Sequence, residues 1–370
     1  MTDGSGRAAF PPAPTGLGAL SATEIMAGYR RRAFTPRDVV DDTIAALEAT
    51  NETCNAVVTP MYEQARAEAD RLTREMRAGE AEGPLAGVPV TIKDLVFVAG
   101  VPAYAGSPMN EAFVPDVDAA VVSALKAAGA IVTCKTTTCE SGYKLTADSP
   151  VTGITRNPWN PGRTSGGSSG GAAAGVAAGC GPIAIGTDGV GSIRVPSSFC
   201  GVFGLKPIAF TEQAAAVATK TSADLAGSEA DYRNVVSAGR HYSGTDYIEA
   251  SYRRGQARSA FVKLFERVDV LVTPTVAVTA FEAGQIGVGK IDGREVDPHL
   301  GWSPFTWPIN LAGLPAATLP CGFDRDGMPI GLQIIAPWLD EPTIFRIAAA
   351  FEQAQPWAKF WPQVALRGVG

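Results

Sequence analysis

Residues 166–178 read GGSSGGAAAGVAA, and the fold interpretation depends on this segment. A run of glycine and serine is by itself typical of a flexible linker. Here the run leads directly into an alanine-rich segment, residues 172–178, whose small side chains favour a buried helix in close contact with its neighbours. Residues 182–185 then have the apolar character of a strand. We therefore predict that the glycine–serine run lies inside a folded domain.

Short apolar runs bounded by glycine and proline extend the pattern toward the N-terminus. Residues 88–92 and 130–134 are predicted to form buried strands, with a helix over about 118–128 between them. Strands that alternate with helices in this way are typical of the α/β class.

Two helix starts are visible near the beginning of the chain. Ser21 and Thr35 each stand three residues before an acidic residue, which is the capping-box pattern. No recognisable interdomain linker separates these helices from the apolar runs that follow. We therefore predict one compact domain over residues 20–370. Residues 1–19 are rich in proline, glycine and alanine, and we expect them to form a flexible N-terminal tail.

The composition excludes several classes of function. Lysine and arginine number 31 against 37 aspartate and glutamate, a net charge of −6, so no basic surface for nucleic acid is expected. Six cysteines without a CxxC pair and only two histidines argue against a disulfide framework, a zinc ribbon and a three-histidine metal site. The first twenty residues lack the apolar core of a signal peptide, and no segment is apolar enough to span a membrane. We expect a cytoplasmic protein that binds neither nucleic acid nor membrane.

Three segments stand out as candidates for chemistry: GVPVTIKD at 87–94, GGSSGG at 166–171 and GTDGVGSIR at 186–194. Taken singly, each is most simply a solvated lysine after a strand, a linker or a glycine-flanked turn. Together they are more informative. A lysine that follows the apolar run 88–92 has its stem, and its amine, drawn toward the core.

These segments resemble the amidase signature family, hydrolases that use a triad of serine, cis-serine and lysine. Further matches are GLKP at 204–207, TPT at 273–275 and NLAGLPA at 310–316. The resemblance implies an α/β fold with a central twisted mixed β-sheet covered by helices on both faces. It also implies hydrolysis of amide bonds without a metal or an organic cofactor.

The resemblance assigns the three members of the triad. Ser192 is implied to be the nucleophile, Ser168 the serine that follows a cis peptide bond, and Lys93 the base. The spacing agrees with the family pattern, with 75 residues from Lys93 to Ser168 and 24 from Ser168 to Ser192.

This chemistry requires a lysine that is not in water. A solvated lysine is almost fully charged at neutral pH and cannot accept a proton. Burial disfavours the ammonium ion and lowers the lysine pKa, so that a neutral Lys93 accepts a proton from Ser168, which takes one from Ser192.

The turn before the nucleophile is expected to form the oxyanion hole. The residues concerned are Gly189, Val190 and Gly191, with the N–H of Ser192, and such a donor contributes roughly 2.7 to 4 kcal/mol in a transition state. The family usually has two glycines immediately before the nucleophile. This chain has Val190 and Gly191 there, so we expect the valine side chain to narrow or redirect the hole.

The substrate pocket is expected at Gly142, Tyr143 and Ser169. Gly142 falls, by counting back from Ser168, at a position that lines the acyl pocket of some relatives. A glycine there suggests an open pocket for a bulky or aromatic group. Carbamates (urethanes) and esters present the same carbonyl and remain alternatives as substrates.

Three charged residues near the triad have expected supporting roles. Asp188 and Arg194 are expected to stiffen the turn before Ser192 through a buried charged contact. Asp94 is expected to orient Lys93.

One stretch departs from the family pattern. Relatives continue through further strands after the GLKP motif at 204–207, whereas this chain passes directly to what resembles a much later helix. We expect a segment to be missing or unresolved near residues 207–212, because removal of central strands leaves hydrogen-bonding edges exposed.

Other functions fit parts of the sequence. Residues 166–170 also match GxSxG, the nucleophile elbow of α/β-hydrolases, but the proline-rich residues before them cannot form the strand that this motif needs. The remaining alternatives are a non-catalytic scaffold and a glutamine amidotransferase subunit. The expected partner is a small-molecule amide, carbamate or ester, and a homodimer is left open.

Overall fold

The computed structural model describes residues 14–208 and 227–366. Within these ranges the α-helices are α1 (Ala22–Arg30), α2 (Pro36–Cys54), α3 (Tyr62–Ala78), α4 (Ala120–Ala127), α5 (Gly170–Ala177), α6 (Arg194–Cys200), α7 (Ala230–Gly239), α8 (Gly244–Phe265), α9 (Trp307–Ala312) and α10 (Glu341–Ala354). The strands are β1 (Val57–Pro60), β2 (Pro89–Lys93), β3 (Ile131–Thr136), β4 (Asp148–Ser149), β5 (Gly153–Ile154), β6 (Ile183–Ile185), β7 (Gly204–Lys206), β8 (Leu271–Pro274), β9 (Lys290–Ile291), β10 (Arg294–Glu295), β11 (Ala316–Phe323) and β12 (Pro329–Ile335).

The first sheet is mixed and has the order β1-β3-β2-β6. β2 lies parallel to both β3 and β6, and β1 pairs with β3 in the antiparallel direction. Every residue of β2 and β3 is buried. This matches the continuous apolar runs in the sequence, because strands of parallel sheets are covered on both faces.

The second sheet is antiparallel and has the order β7-β11-β12-β8. The short pairs β4–β5 and β9–β10 lie outside both large sheets. The α/β class with a mixed sheet is confirmed. Eight of the twelve strands in the described residues form two four-stranded sheets, one mixed and one antiparallel.

Helices α5 and α6 connect the two sheets and begin next to the functional segments. α5 packs on β2, β3 and β6 of the first sheet, and α6 packs on β7, β11 and β12 of the second. The two helices also contact each other. The chain entering α5 and the chain entering α6 are therefore brought close to the end of β2.

The predicted helix starts near the beginning of the chain are confirmed. The side chains of Ser21 and Thr35 both form complete capping boxes, at α1 and α2. Residues 17–19, at the end of the predicted tail, form a 3-10 helix in which Gly18 donates its N–H to Asp42 Oδ2 at 2.8 Å, and residues 1–13 lie outside the described residues. The segment expected to be missing near 207–212 lies mostly outside the described residues.

Candidate active site

Lys93 ends β2 and is fully buried. Its Nζ lies 2.7 Å from Ser168 Oγ and 2.9 Å from Thr187 Oγ1. These two hydroxyls hold the amine in the interior, and no carboxylate of residues 14–208 or 227–366 is hydrogen-bonded to it. The apolar residues of β2 explain this placement, because a strand buried on both faces carries its last residue into the core.

Burial changes the acid–base chemistry of this lysine. It lowers the pKa of Lys93 from 10.5 to about 7, against the charges of Cys139 and Asp188, which raise it. A large share of the amine is therefore neutral near neutral pH and able to accept a proton.

Ser168 and Ser169 lead into α5. The peptide bond between Gly167 and Ser168 is cis, which is the configuration that the resemblance implies for this serine. Ser169 donates its N–H to the carbonyl of Ser192 at 3.1 Å. Its hydroxyl donates to the Thr187 carbonyl at 3.1 Å and accepts from the Thr187 N–H at 3.2 Å. Ser169 thus joins the segment before α5 to the one before α6.

Ser192 lies two residues before α6 and is 3% exposed. Its hydroxyl forms no hydrogen bond within residues 14–208 and 227–366. The bond between Ser169 and the Ser192 carbonyl keeps the three predicted triad residues in one region. A hydrogen bond between catalytic side chains is often long or badly aligned until substrate binds, so the unbonded Ser192 hydroxyl is compatible with a catalytic role.

The turn before Ser192 is organised by the carboxylate of Asp188. Asp188 Oδ2 and Oδ1 accept from Arg194 Nε and Nη2, each at 3.0 Å, and both side chains are buried. Arg194 also donates to Gln333 and to Asn310. Burial opposes ionisation of Asp188, but the charge and hydrogen bonds of Arg194 outweigh it and lower the pKa of the carboxyl. The structure therefore contains the buried contact that was predicted between Asp188 and Arg194.

Loss of the Asp188 charge is expected to destabilise the fold strongly. Asp188→Asn leaves the Arg194 guanidinium buried without its counter-ion, and breaking a buried pair costs about 3–5 kcal/mol. Urea denaturation measures the free energy of unfolding. Asp326→Asn is the matched control, because its partner Arg163 lies in an exposed pair and such pairs contribute about 1 kcal/mol or less. Equal effects of the two substitutions would contradict the assigned role.

The same carboxylate changes the expected set of oxyanion donors. The N–H of Gly191 donates to Asp188 Oδ1 at 2.8 Å and is therefore occupied within the chain. Gly189 also has an interaction partner within the chain. The N–H groups of Val190 and Ser192 have no acceptor among the described residues. Of the expected donors, the N–H of Gly191 is therefore occupied, whereas those of Val190 and Ser192 are not occupied by any described residue.

The Val190 side chain, which was expected to narrow or redirect the oxyanion hole, contacts apolar side chains beside the turn. It packs against an apolar cluster that contains Val195, Phe199 and Trp302. The Val190 carbonyl accepts from Thr306 Oγ1 at 2.7 Å. This close approach requires glycine at 191, where φ is +132° and a Cβ atom would lie 2.6 Å from the Thr306 hydroxyl oxygen.

The expected pocket residues lie beside Ser168. A Cβ atom built on Gly142, at φ +71°, would lie 2.7 Å from Leu95 Cδ1 and 3.4 Å from Ser168 Oγ, so this glycine is closely packed and does not open the pocket that was expected. Tyr143 turns its hydroxyl to Glu229 Oε2 at 2.8 Å and stacks at a tilt with Tyr232 of α7, with the ring centres 5.3 Å apart. Gly142 therefore lies next to Ser168, whereas the Tyr143 hydroxyl is bonded to Glu229, just before α7.

Sequence analysis missed one residue of the site and misplaced another. Thr187 accepts a hydrogen bond from Lys93 directly. Its place as the second residue of the GTDGVGSIR segment was the sequence feature that could have identified it. Asp94 does not orient Lys93. It pairs with the buried Lys135 at 2.8 Å, because consecutive residues of a strand point to opposite faces of the sheet.

Two other kinds of feature are absent from the described part of the chain. It contains no cluster of three or more side chains of the types that bind metals. No helix there is both long enough and apolar enough to cross a bilayer.

The family model for amidases matches residues 38–211 and 211–345, which is most of the chain. The chain belongs to the amidase family. The predicted resemblance to amidase signature enzymes is thereby confirmed, and this amidase is a hydrolase of carbon–nitrogen bonds.

Relatives of this amidase include the acylamidase of Rhodococcus erythropolis, 30% identical over 466 aligned positions that cover 94% of this chain and 98% of the relative. A glutamyl-tRNA(Gln) amidotransferase subunit of Thermosynechococcus vestitus is 30% identical over 488 positions, covering 93% of this chain and 97% of that one. Among solved structures, a bacterial aryl acylamidase of the amidase signature family has a TM-score of 0.85 at 23% identity, covering 94% of this chain and 98% of the other.

The relatives also bear on the departure noted after the GLKP motif. The two parts of the family match meet at residue 211. The alignment with the acylamidase has 466 positions, more than the 370 residues of this chain, so the relative has residues that the amidase lacks.

Proposed function

We propose that this amidase cleaves carboxylic amides through an acyl-enzyme on Ser192, with Lys93 as the base and Ser168 as the relay. The observation that carries the proposal is the buried Lys93 amine, 2.7 Å from Ser168 Oγ and with its pKa lowered to about 7. A serine hydroxyl is a weak nucleophile until a neighbouring base removes its proton.

The proposed reaction has two halves. As Ser192 Oγ bonds to the carbonyl carbon, its proton passes to Ser168, whose own proton passes to Lys93. The carbonyl oxygen becomes an oxyanion, and the N–H groups of Val190 and Ser192 donate hydrogen bonds to it. Lys93 then returns a proton through Ser168 to the leaving nitrogen, and the carbon–nitrogen bond breaks. Water activated by the same relay hydrolyses the acyl-enzyme.

The substrate is proposed to be an aryl or otherwise bulky amide. Gly142 adds no free space beside Ser168, because a Cβ atom built on it would lie 2.7 Å from Leu95 Cδ1. The acylamidase relative and the aryl acylamidase with the same fold agree with this class. Carbamates and esters remain secondary candidates, since both offer Ser192 the same carbonyl carbon. We place the enzyme in the cytoplasm, in keeping with its six cysteines, which form no disulfide bonds and of which five are buried.

A subunit of a glutamine amidotransferase is the second candidate function. It is favoured by the relative from Thermosynechococcus vestitus, which is as similar in identity as the acylamidase. The net charge of −6 offers no support for a partner complex that contains tRNA.

A substrate panel separates these functions. The purified chain is assayed with matched anilides, alkyl amides, carbamates, esters and glutamine, each also with Ser192→Ala. Highest kcat/KM on the anilides supports the proposal. Hydrolysis of glutamine alone supports the amidotransferase, and preference for carbamates or esters over every amide contradicts the amide assignment.

The hydroxyl of Thr187 is expected to affect the pKa of Lys93 and, through it, kcat. Thr187→Val removes one acceptor from the Lys93 amine, which makes the ammonium form less favourable. We expect kcat to fall about tenfold to a hundredfold, equivalent to the roughly 1.5–3 kcal/mol of a hydrogen bond to a charged group. The midpoint of the pH–rate profile should also move to lower pH.

Thr187→Ser keeps the hydroxyl and is the control for this substitution. It should retain both the rate and the midpoint of wild type. A slow Thr187→Val enzyme with an unmoved midpoint would mean that the threonine only supports the local structure.

A further inference from the structure

Helix α9 holds the backbone of the turn that precedes α6. Thr306, the residue just before α9, donates its hydroxyl to the Val190 carbonyl at 2.7 Å. Asn310 donates Nδ2 to the Asp188 carbonyl at 2.8 Å. The side chains of Thr306 and Asn310 are both buried, and residues four apart lie on the same face of a helix. Two carbonyls of the turn are therefore bonded to one face of α9.

The peptide group between Val190 and Gly191 is hydrogen-bonded at both ends. Its carbonyl accepts from Thr306 Oγ1, and its N–H donates to Asp188 Oδ1 at 2.8 Å. A peptide group is planar, so bonds to its carbonyl and to its N–H together fix the orientation of its plane. Glycine at 191, where φ is +132°, has a wide range of backbone conformations open to it. Hydrogen bonds to neighbouring side chains therefore hold this part of the turn.

This peptide group lies between the two N–H groups that are proposed to bind the oxyanion. The N–H of Val190 belongs to the peptide group before it and the N–H of Ser192 to the one after it, and no described residue accepts from either. Each is one Cα atom away from the fixed plane, so a tilt of that plane moves both donors. Donors stabilise an oxyanion best when they already point at it, because the transition state then requires no reorganisation.

Thr306 can be changed with less disturbance than the other residues that bond the turn. Its hydroxyl also lies 3.2 Å from the Ser303 carbonyl, which keeps a second donor, the N–H of Thr306 at 3.3 Å. By contrast, Asp188 is the buried counter-ion of Arg194, and Asn310 is hydrogen-bonded to both of them. A substitution at Thr306 therefore acts on the turn without breaking the buried ion pair.

We propose that Thr306 is a positioning residue for the oxyanion hole. Its bond to the Val190 carbonyl fixes the peptide group 190–191 and thereby directs the N–H groups of Val190 and Ser192 toward the carbonyl oxygen of the substrate. The inference rests on the proposed acyl-enzyme at Ser192, because the oxyanion forms only when Ser192 Oγ bonds to the substrate. It predicts an effect on the transition state and not on binding of the amide itself.

Thr306→Val tests the hydroxyl, since valine has a similar shape. We expect kcat on an anilide to fall about tenfold to a hundredfold, less than the roughly 10²–10³-fold loss for removal of a whole oxyanion donor. KM should not change. The midpoint of the pH–rate profile should stay near the Lys93 pKa of about 7, because the Thr306 hydroxyl bonds Val190 and not the relay. Thr306→Ser keeps the hydroxyl and should retain most of kcat.

Inhibition by a trifluoromethyl ketone gives a readout that a merely structural role would not move. Ser192 Oγ adds to the ketone carbonyl carbon, and the adduct carries an oxyanion where that of the substrate forms. The inhibition constant should rise in Thr306→Val by the same factor by which kcat/KM falls. The corresponding secondary alcohol, which has no carbonyl for the serine to attack, should bind wild type and variant equally.

Thr275→Val is the matched control. Thr275 is fully buried, and its hydroxyl oxygen lies 2.5 Å from that of Thr318 in β11. The substitution removes a buried hydrogen bond within the second sheet, so it should lower Tm while leaving kcat and both inhibition constants at their wild-type values. If Thr306→Val does not fold, Thr306→Ala takes its place, because it also lacks the hydroxyl and adds no bulk.

Several results would overturn the role of Thr306. They are wild-type kcat in Thr306→Val, an equal loss of kcat in Thr306→Ser or Thr275→Val, a rise in KM without a fall in kcat, and an unchanged inhibition constant for the ketone. Ser192→Ala, assayed in the same series, separates this inference from the proposed function. Turnover by Ser192→Ala would reject the acyl-enzyme and the inference with it. An inactive Ser192→Ala beside a fully active Thr306→Val would reject the role of Thr306 alone.

Discussion

Ser192→Ala is expected to remove amide hydrolysis almost entirely, with kcat lower by at least about 10⁴-fold. The alanine has no oxygen to form the acyl bond, so the first covalent step cannot occur. Binding and the oxyanion donors remain, and they sustain only a small residual rate. Steady-state kinetics on an anilide, with the circular dichroism spectrum as the check on folding, measure the effect.

Covalent labelling makes this test specific to one serine. A fluorophosphonate should modify wild type at Ser192, identified by peptide mass spectrometry, and should leave Ser192→Ala unlabelled. Ser169→Ala is the control, because this neighbouring hydroxyl bonds the Thr187 backbone and is not proposed to react. Labelling at Ser169, or undiminished turnover in Ser192→Ala, would assign the nucleophile elsewhere.

Lys93→Met is expected to lower kcat by about 10³-fold or more, since the relay then has no base. Methionine has a similar length and no charge, so it fits the buried end of β2. In wild type, kcat/KM should rise with pH as the amine loses its proton, with a midpoint near the Lys93 pKa of about 7, and then level off. A pH–rate profile from pH 5.5 to 9.5 measures the midpoint. A rate that does not change across this range would contradict a lysine base.

The stability of the same variant offers a test that does not depend on activity. Between about pH 7 and 10.5 the unfolded chain binds a proton at Lys93 that the folded chain does not. The free energy of unfolding of wild type therefore rises with pH through this window. Lys93→Met lacks the titrating group, so its advantage in Tm over wild type should be largest below pH 7 and shrink toward pH 10.5. An advantage that is constant with pH would place the amine of residue 93 in solvent.

The catalytic candidates could be predicted from sequence because each is part of a local motif. Lys93 follows an apolar run, and Ser168 and Ser192 lie within glycine-rich segments that precede helices. The capping boxes of α1 and α2 were equally readable, since a cap depends on residues three positions apart. The antiparallel second sheet was harder to predict from the sequence, because its strands come from distant parts of the chain, in the order β7, β11, β12 and β8.

Several features depended on side-chain direction and on contacts between distant segments. Thr187, not Asp94, bonds Lys93, and Asp188 occupies the N–H of Gly191. Neither result follows from spacing, because a hydrogen bond needs a particular geometry between groups that the chain brings together only on folding.

The sequence by itself determined the family, the α/β class and the three residue types at the proposed triad, because short local motifs and their spacing along the chain identify them. The tertiary structure alone decided that the Thr187 hydroxyl also bonds the Lys93 amine, that Asp188 occupies the N–H of Gly191, and that α8 remains exposed. The reason is physical: the pKa, the availability of an N–H group and the exposure of a side chain depend on which distant atoms surround it.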